Sequence, residues 1–190
     1  MKFSASTIIV AALASVAAAV PQPGPPKPNN PPPPPPPGGP APPPGAPVNC
    51  LTSTTASNLV SGFSSLLTAF DVNVANKLLA SDFTDTSDSI NFLAGIPLGS
   101  TTFPSKQAFI GGQGTQPAIG FSVLAIDAVT CDTIAFRWAA TLGPQTPIKG
   151  INILKASNLN ATTAGWQIKT VFSEFNSGLW SAEVGGVCVS

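Results

Sequence analysis

Prolines decide where this chain can fold. Seventeen of its 22 prolines fall between residues 20 and 47, including the unbroken run Pro31–Pro37. Proline fixes φ and has no amide hydrogen to donate, so this stretch can enter neither a helix nor a sheet. It reads as a proline-rich, disordered linker, an extended polyproline II spacer at about 3.1 Å per residue. Residues 1–19 read as a secretory signal: Lys2 begins it, Thr7–Ala14 is apolar, and Ala17-Ala18-Ala19 offers small residues for cleavage. The apolar run is short for a membrane span, and no later segment is long and apolar enough. A folded domain is therefore expected over residues 48–190, outside the cell.

Composition excludes several kinds of chemistry. The chain has no His and no Tyr, and only 8% of its residues are charged. Without histidine there is no His-based triad and no His-ligated metal. Residues 48–190 hold six basic and eight acidic side chains, which argues against a nucleic-acid partner. Neither a cofactor nor a metal site is expected. Secretion makes disulfides plausible. Three cysteines allow one bridge; Cys50–Cys188 is favoured, with Cys50–Cys131 as the rival.

Within the domain, Ala56, Leu59, Val60, Phe63, Leu66, Leu67 and Phe70 form one apolar stripe at helical period. A second short helix is expected around Val74–Leu79, with Asn73 as cap and an end near Ser81-Asp82. A third opens at Pro104-Ser105 and stops at Gly111-Gly112. Four strands follow at Phe121–Val129, Thr133–Thr141, Ile148–Ala156 and Trp166–Phe175, and a short strand pair, Thr84–Ile90 and Asn91–Ala94, precedes the third helix. Helices first and sheet afterwards is an α+β order. Alternation puts Ile134, Phe136, Trp138 and Ala140 on one face of their strand, and Trp166, Ile168, Thr170, Phe172 and Glu174 on one face of theirs.

The order of these elements, with Leu78-Leu79-Ala80-Ser81-Asp82-Phe83-Thr84-Asp85, Phe103-Pro104-Ser105-Lys106, Phe136-Arg137-Trp138 and Gly165-Trp166-Gln167-Ile168, resembles the nuclear transport factor 2-like superfamily. That is the cone fold shared with ketosteroid isomerases and polyketide cyclases. Cys50-Leu51-Thr52, Cys131-Asp132-Thr133 and Ser173-Glu174-Phe175-Asn176-Ser177-Gly178 are similar to its small secreted fungal members, which have no established activity. The resemblance implies a curved antiparallel sheet wrapped on three N-terminal helices around a conical cavity, and a homodimer through the sheet face. It also implies a carboxylate base at or just after the first strand, where Asp85 and Asp88 lie.

A carboxylate in an apolar cone has a raised pKa and can move a proton beside a carbonyl. With no tyrosine, the acid half of such chemistry falls to Glu174 or a tryptophan N–H. The stretch Ser81–Ser89 is equally rich in residues that cap helices and turns. The ligand-binding candidates are Asp88, Arg137, Trp138, Phe172 and Glu174, with an Arg137–Glu174 pair expected. Asn160-Ala161-Thr162 is a glycosylation acceptor sequence. Three functions follow: a secreted domain binding a small apolar molecule or an extracellular partner; a cofactor-free isomerase, cyclase or dehydratase; and a non-catalytic structural module.

Overall fold

A computed structural model describes residues 50–142, 147–158, 162 and 164–185. The signal at 1–19, the linker at 20–47, Asn160 and Cys188 lie outside the described residues. The described chain begins with helix α1 (Ser53–Thr68) and α2 (Val72–Leu78), runs directly into strand β1 (Leu79–Thr86), and continues through α3 (Asp88–Ala94) and α4 (Lys106–Gln113). Strands β2 (Gly120–Val129), β3 (Thr133–Thr141), β4 (Ile148–Asn158) and β5 (Trp166–Phe175) follow, and α5 (Ser177–Glu183) ends it.

Each helix starts at a short polar side chain that accepts from an otherwise unpaired amide. Thr52 caps α1, Asp71 caps α2, Ser87 caps α3, Ser105 caps α4 and Asn176 caps α5. Asp71, not the expected Asn73, caps the second helix: its carboxylate accepts from both Asn73 N and Val74 N. The apolar stripe of α1 is the expected one. Ala56, Leu59, Val60, Phe63 and Leu66 are buried, each large side chain worth about 1.5–3 kcal/mol.

Five strands form one sheet in the order β1-β5-β4-β3-β2. The four long strands make the expected antiparallel meander. β1 instead joins the far edge parallel to β5, so the sheet is mixed. Irregular register at two places in β2 and one in β5 bends the sheet. Its inner face packs on α1 and α4 through Phe83, Ile134, Phe136, Leu154, Ile168 and Val171, with Phe63, Leu66 and Phe109 opposite.

The expected strand Asn91–Ala94 is helix α3 instead. Ser87 accepts from Ile90 N, and Gly95 closes the helix at φ 68, a left-handed conformation that glycine takes without strain. Helix α5 was not expected at all.

Cysteine pairing also differs from the favoured one. Cys50 bonds to Cys131, not Cys188. The reason is local: Leu51 N donates to Cys131 O at 3.0 Å, so the segment before α1 lies along the β2–β3 turn.

Candidate functional site

Burial separates the inner face from the outer one. On β3, Ile134, Phe136, Trp138 and Ala140 point inward, as alternation predicts. On β5 the simple alternation fails. Ala156 lies opposite Ile168 and Lys155 opposite Thr170, which leaves Lys169 as an extra residue. That bulge exchanges the faces of everything after it. Val171, Ser173 and Phe175 turn inward, and Phe172 and Glu174 turn outward.

Three expected ligand contacts stand outside the interior, Phe172 and Glu174 through the bulge and Arg137 by the ordinary alternation of β3. Phe172 is 44% exposed on the outer face. Arg137 also stands outside and forms a two-pronged pair with Asp127, at 2.9 and 2.8 Å, instead of Glu174. Glu174 serves α3: Oε1 accepts from Asp88 N at 2.9 Å, and Oε2 accepts from Ser89 N at 3.0 Å and Ser89 Oγ at 2.5 Å. A carboxylate on these first-turn amides satisfies donors that the helix itself cannot.

Asp88 is occupied as well. Its Oδ1 accepts from Gly99 N at 2.6 Å and from Asn91 Nδ2 at 3.3 Å, tying the loop after α3 to the helix. Asp82 pairs with Lys169 at 2.8 Å on the surface, and the lysine's hydrogen bond holds the Asp82 carboxyl below its usual range. The capping and turn reading describes Asp88; Asp82 is instead a strand residue in a surface ion pair.

Asp85 is different. It sits on β1, on the same inward side as Phe83, and only 3% of it is exposed. Its backbone is fully used, since Asp85 N donates to Phe103 O and Phe103 N donates to Asp85 O. Its side-chain Oδ1 is buried with no hydrogen-bond partner. Burial pushes the Asp85 carboxyl up to about 7, and the nearby Glu174 charge adds to the rise. A buried carboxylate without a partner is costly, and the group responds by keeping its proton.

A second polar group lies on the same face. Asn152 on β4 and Ser173 on β5 are cross-strand partners and both are buried. Trp138 Nε1 donates to Asn152 Oδ1 at 2.6 Å, and Ser173 Oγ donates to the same oxygen at 2.9 Å. Trp138 can reach down to Asn152 because its neighbour across the ladder is Gly150. A Cβ on Gly150 would fall inside the indole ring. Above this group runs an aromatic row: Phe121–Trp138, Trp138–Phe175 and Phe175–Trp180, with centroids 5.0, 5.8 and 5.0 Å apart.

Of the sequence candidates, the structure thus places Asp85 and Trp138 on the inner face. It places Asp88, Arg137, Phe172 and Glu174 elsewhere. Asn152 and Ser173 were missed. Asn152 left a signal: it is the lone polar residue in the inward series Ile148, Gly150, Asn152, Leu154, Ala156. Ser173 left none, because the bulge that turns it inward is invisible to alternation. Among the described residues, no group of three His, Cys, Asp or Glu converges as a metal site, and no helix is long and apolar enough to cross a membrane.

Known proteins share the fold. Wild-type IdmH from Streptomyces antibioticus, provisionally assigned as a polyketide cyclase, superposes with TM-score 0.51 at 17% identity, covering 68% of this chain and 98% of its own. A 96–104 loop truncation variant of IdmH gives 0.52 at 18%, covering 68% and 99%. A SnoaL-like protein of unknown function from Burkholderia thailandensis gives 0.50 at 15%, covering 67% and 98%. At such identities the likeness is one of fold. No functionally curated protein gives a significant match. The sequence itself matches the NTF2-like domain profile over residues 49–187. Helices packed on a bent sheet, solved relatives of the same shape and that profile agree: this chain belongs to the NTF2-like domain family.

Proposed function

We propose that this is a secreted NTF2-like domain that binds a small, largely apolar molecule against the inner face of its sheet, with Asp85 as the polar anchor. The observation that carries the reading is the unpartnered, buried Asp85 Oδ1. A polar atom left dry costs about 1–3 kcal/mol, and a ligand hydroxyl or amine donating to it would recover that loss. Phe83, Phe109, Val171 and Leu154 belong to the same buried core, and a ligand displacing part of that packing would meet mainly apolar contact, which suits one with few polar groups. The Cys50–Cys131 disulfide fits an oxidising destination. The linker at 20–47 would hold the domain away from a surface. Ile151, Ile153 and Phe172, exposed on the outer face, would be the contacts of a sheet-face homodimer.

A second reading has its own support. A carboxyl near 7 is poised between acid and base at neutral pH, the condition for moving a proton beside a carbonyl. In that reading Asp85 is the base of a cofactor-free isomerase, cyclase or dehydratase. Asp88 and Glu174, both committed to α3, are not available for the role.

The test uses 1-aminoanthracene, an apolar fluorophore with one donor. Saturable emission enhancement is expected with the native protein, and about tenfold weaker binding with Asp85→Leu, the loss of one hydrogen bond. Asp85→Asn, which keeps an acceptor, should bind nearly as well and should lose any turnover. No saturable binding at high protein concentration would overturn the first reading. Native mass spectrometry of protein from culture medium would show any retained molecule.

A further inference from the structure

Helix α3 is inside out. The residues it buries, Ser89 and Asn91, are polar, while its Phe92 is 62% exposed. Leu98, on the loop that follows, is 65% exposed, and Val184, at the end of α5, is 64% exposed. Among the described residues these are the three most exposed large apolar side chains. They fall on one region, because α5 packs against α3 and the loop is bonded back to it. Single apolar residues scattered on a surface need no explanation, but a helix that sinks its polar side chains and raises its phenylalanine presents a patch that water does not favour.

Hydrogen bonds hold this patch outward. Asn91 Nδ2 donates to Ser100 O at 2.8 Å, and Asn91 Oδ1 accepts from Thr102 Oγ1 at 2.9 Å. Together with Glu174 on the first turn of α3, these bonds fix the polar side of the helix downward, so Phe92 cannot turn in. The backbone of the loop is largely paired within the same unit. Gly95 N donates to Phe92 O, Ile96 N to Asn91 O, Ser100 N to Pro97 O and Gly99 N to Asp88 Oδ1, and Pro97 has no amide hydrogen. A loop whose amides are already paired can enter a medium without water at little cost, since that medium offers them no partner.

Charge narrows what that medium is. From Ser89 to Ser105 the chain has no charged residue. The charged groups on the two helices are acidic, Asp88 of α3 and Glu183 of α5. An anionic lipid surface attracts basic side chains and would repel these. The outer sheet face is different in kind: Arg137, Asp127, Lys149 and Lys155 stand there among Ile151 and Ile153, a mixture that can answer the polar groups of another protein. We propose that Phe92 and Leu98 insert this end of the domain into the interface of an uncharged lipid surface, with Val184 beside them. Side chains of this kind enter the boundary between headgroups and acyl chains and give weak, reversible attachment. The proposal does not depend on the Asp85 reading above.

The test uses the full chain purified from culture medium and vesicles of dioleoylphosphatidylcholine at millimolar lipid, with partition measured by co-sedimentation. The wild type should bind these vesicles, and raising the salt from about 0.1 to 0.5 M should not release it, because screening has no attraction to weaken. Adding about one third phosphatidylserine should not strengthen binding. Phe92→Ser and Leu98→Ser should each weaken the partition about tenfold or more, the worth of one large apolar side chain. Leu124→Ser, which removes an exposed leucine from the edge strand β2, should leave it unchanged. A second readout places the contact: Phe92→Trp should gain emission that brominated phosphatidylcholine quenches, and Leu124→Trp should gain emission that it does not.

No binding to phosphatidylcholine vesicles would overturn the proposal. So would binding that needs phosphatidylserine or is lost in salt, since charge on another face would then be responsible. Binding that survives both Phe92→Ser and Leu98→Ser would show that the lipid meets some other surface. If the two variants instead abolish a self-association seen by sedimentation, with no vesicle binding by the wild type, the patch is covered by a second copy of the chain and the lipid assignment is wrong.

Discussion

Asp85 makes stability fall as pH rises. The folded-state carboxyl sits at about 7 against an ordinary 3.8, raised first by burial and then by Glu174. The folded chain therefore holds this proton where the unfolded chain has released it. Its contribution to stability is complete below about pH 4, and it is lost as pH rises through 7. The full difference is worth about 4 kcal/mol, and about 2.5 kcal/mol of it is lost between pH 5 and 8. No histidine titrates in that window, because the chain has none. Asp82, Asp127 and Asp132, all lowered by hydrogen bonds to Lys169, Arg137 and Thr133, act at the acid end. The assay is urea unfolding of the untagged protein at half-unit steps of pH, since a histidine tag would titrate in the same range. The wild type should lose about 2.5 kcal/mol from pH 5 to 8, while Asp85→Asn should be flat. A wild-type curve that is flat or rises over that range, or a variant with the same slope, would refute the assignment of a buried, proton-holding Asp85.

Other perturbations have defined outcomes. Cys50→Ser opens a loop of 81 residues and should cost about 4 kcal/mol in the chain-entropy account; a Cys50–Cys188 peptide in a non-reducing mass map would contradict the pairing. Glu174→Ala frees two backbone amides and a hydroxyl at the start of α3, and should cost at least about 2 kcal/mol and speed hydrogen exchange in α3. Glu174→Gln should move the Asp85 titration to lower pH, because the charge that lifts it is gone; an unmoved midpoint would leave burial as the only cause. Gly150→Ala pushes a methyl into the Trp138 ring, and should cost about 1–3 kcal/mol and change tryptophan emission; a silent substitution would mean the indole does not lie flat on β4.

How much of this was readable beforehand depends on which force set each element. Helix α1 and the inward face of β3 follow from periodic burial, and the sequence pattern predicts both. α3 does not follow from period. Its sequence Asp88-Ser89-Ile90-Asn91-Phe92 reads equally as a strand, and a Ser87 cap, the Glu174 carboxylate and Gly95 decide for helix. Glu174 is 86 residues away in sequence, beyond the reach of local patterns. The same holds for β5. One extra residue, Lys169, turned Phe172 and Glu174 outward and Ser173 inward, so a correct strand yielded a wrong wall. For Asp85 the family resemblance pointed to a carboxylate at or just after the first strand and left Asp85 and Asp88 both open. What separated it from Asp88 was the identity of their partners, and only three-dimensional neighbours supply that.

The partners also give the strongest reason to look for function at Asp85. Asp71 caps α2, Asp82 pairs with Lys169, Asp88 holds the Gly99 amide, Asp127 holds Arg137, Asp132 accepts from Thr133, and Glu174 anchors α3. Each of these carboxylates returns something to the fold. Asp85 returns nothing through its side chain: it is buried, its Oδ1 is unpaired, and its charge lies against that of Glu174. A valine there would bury as much apolar surface without the pH-dependent loss. The position is one where structure alone favours a hydrocarbon and the chain instead carries an acid near 7. Such a group would find a use only toward something that is not the protein, either a donor on a bound molecule or a proton in transit. Val, Leu and Asn at position 85 separate these uses from stability. If Asp85→Val is more stable than wild type at pH 8 and loses both dye binding and proton transfer, the cost was carried for the site. If it is more stable and loses neither, Asp85 is a frustrated residue without a role.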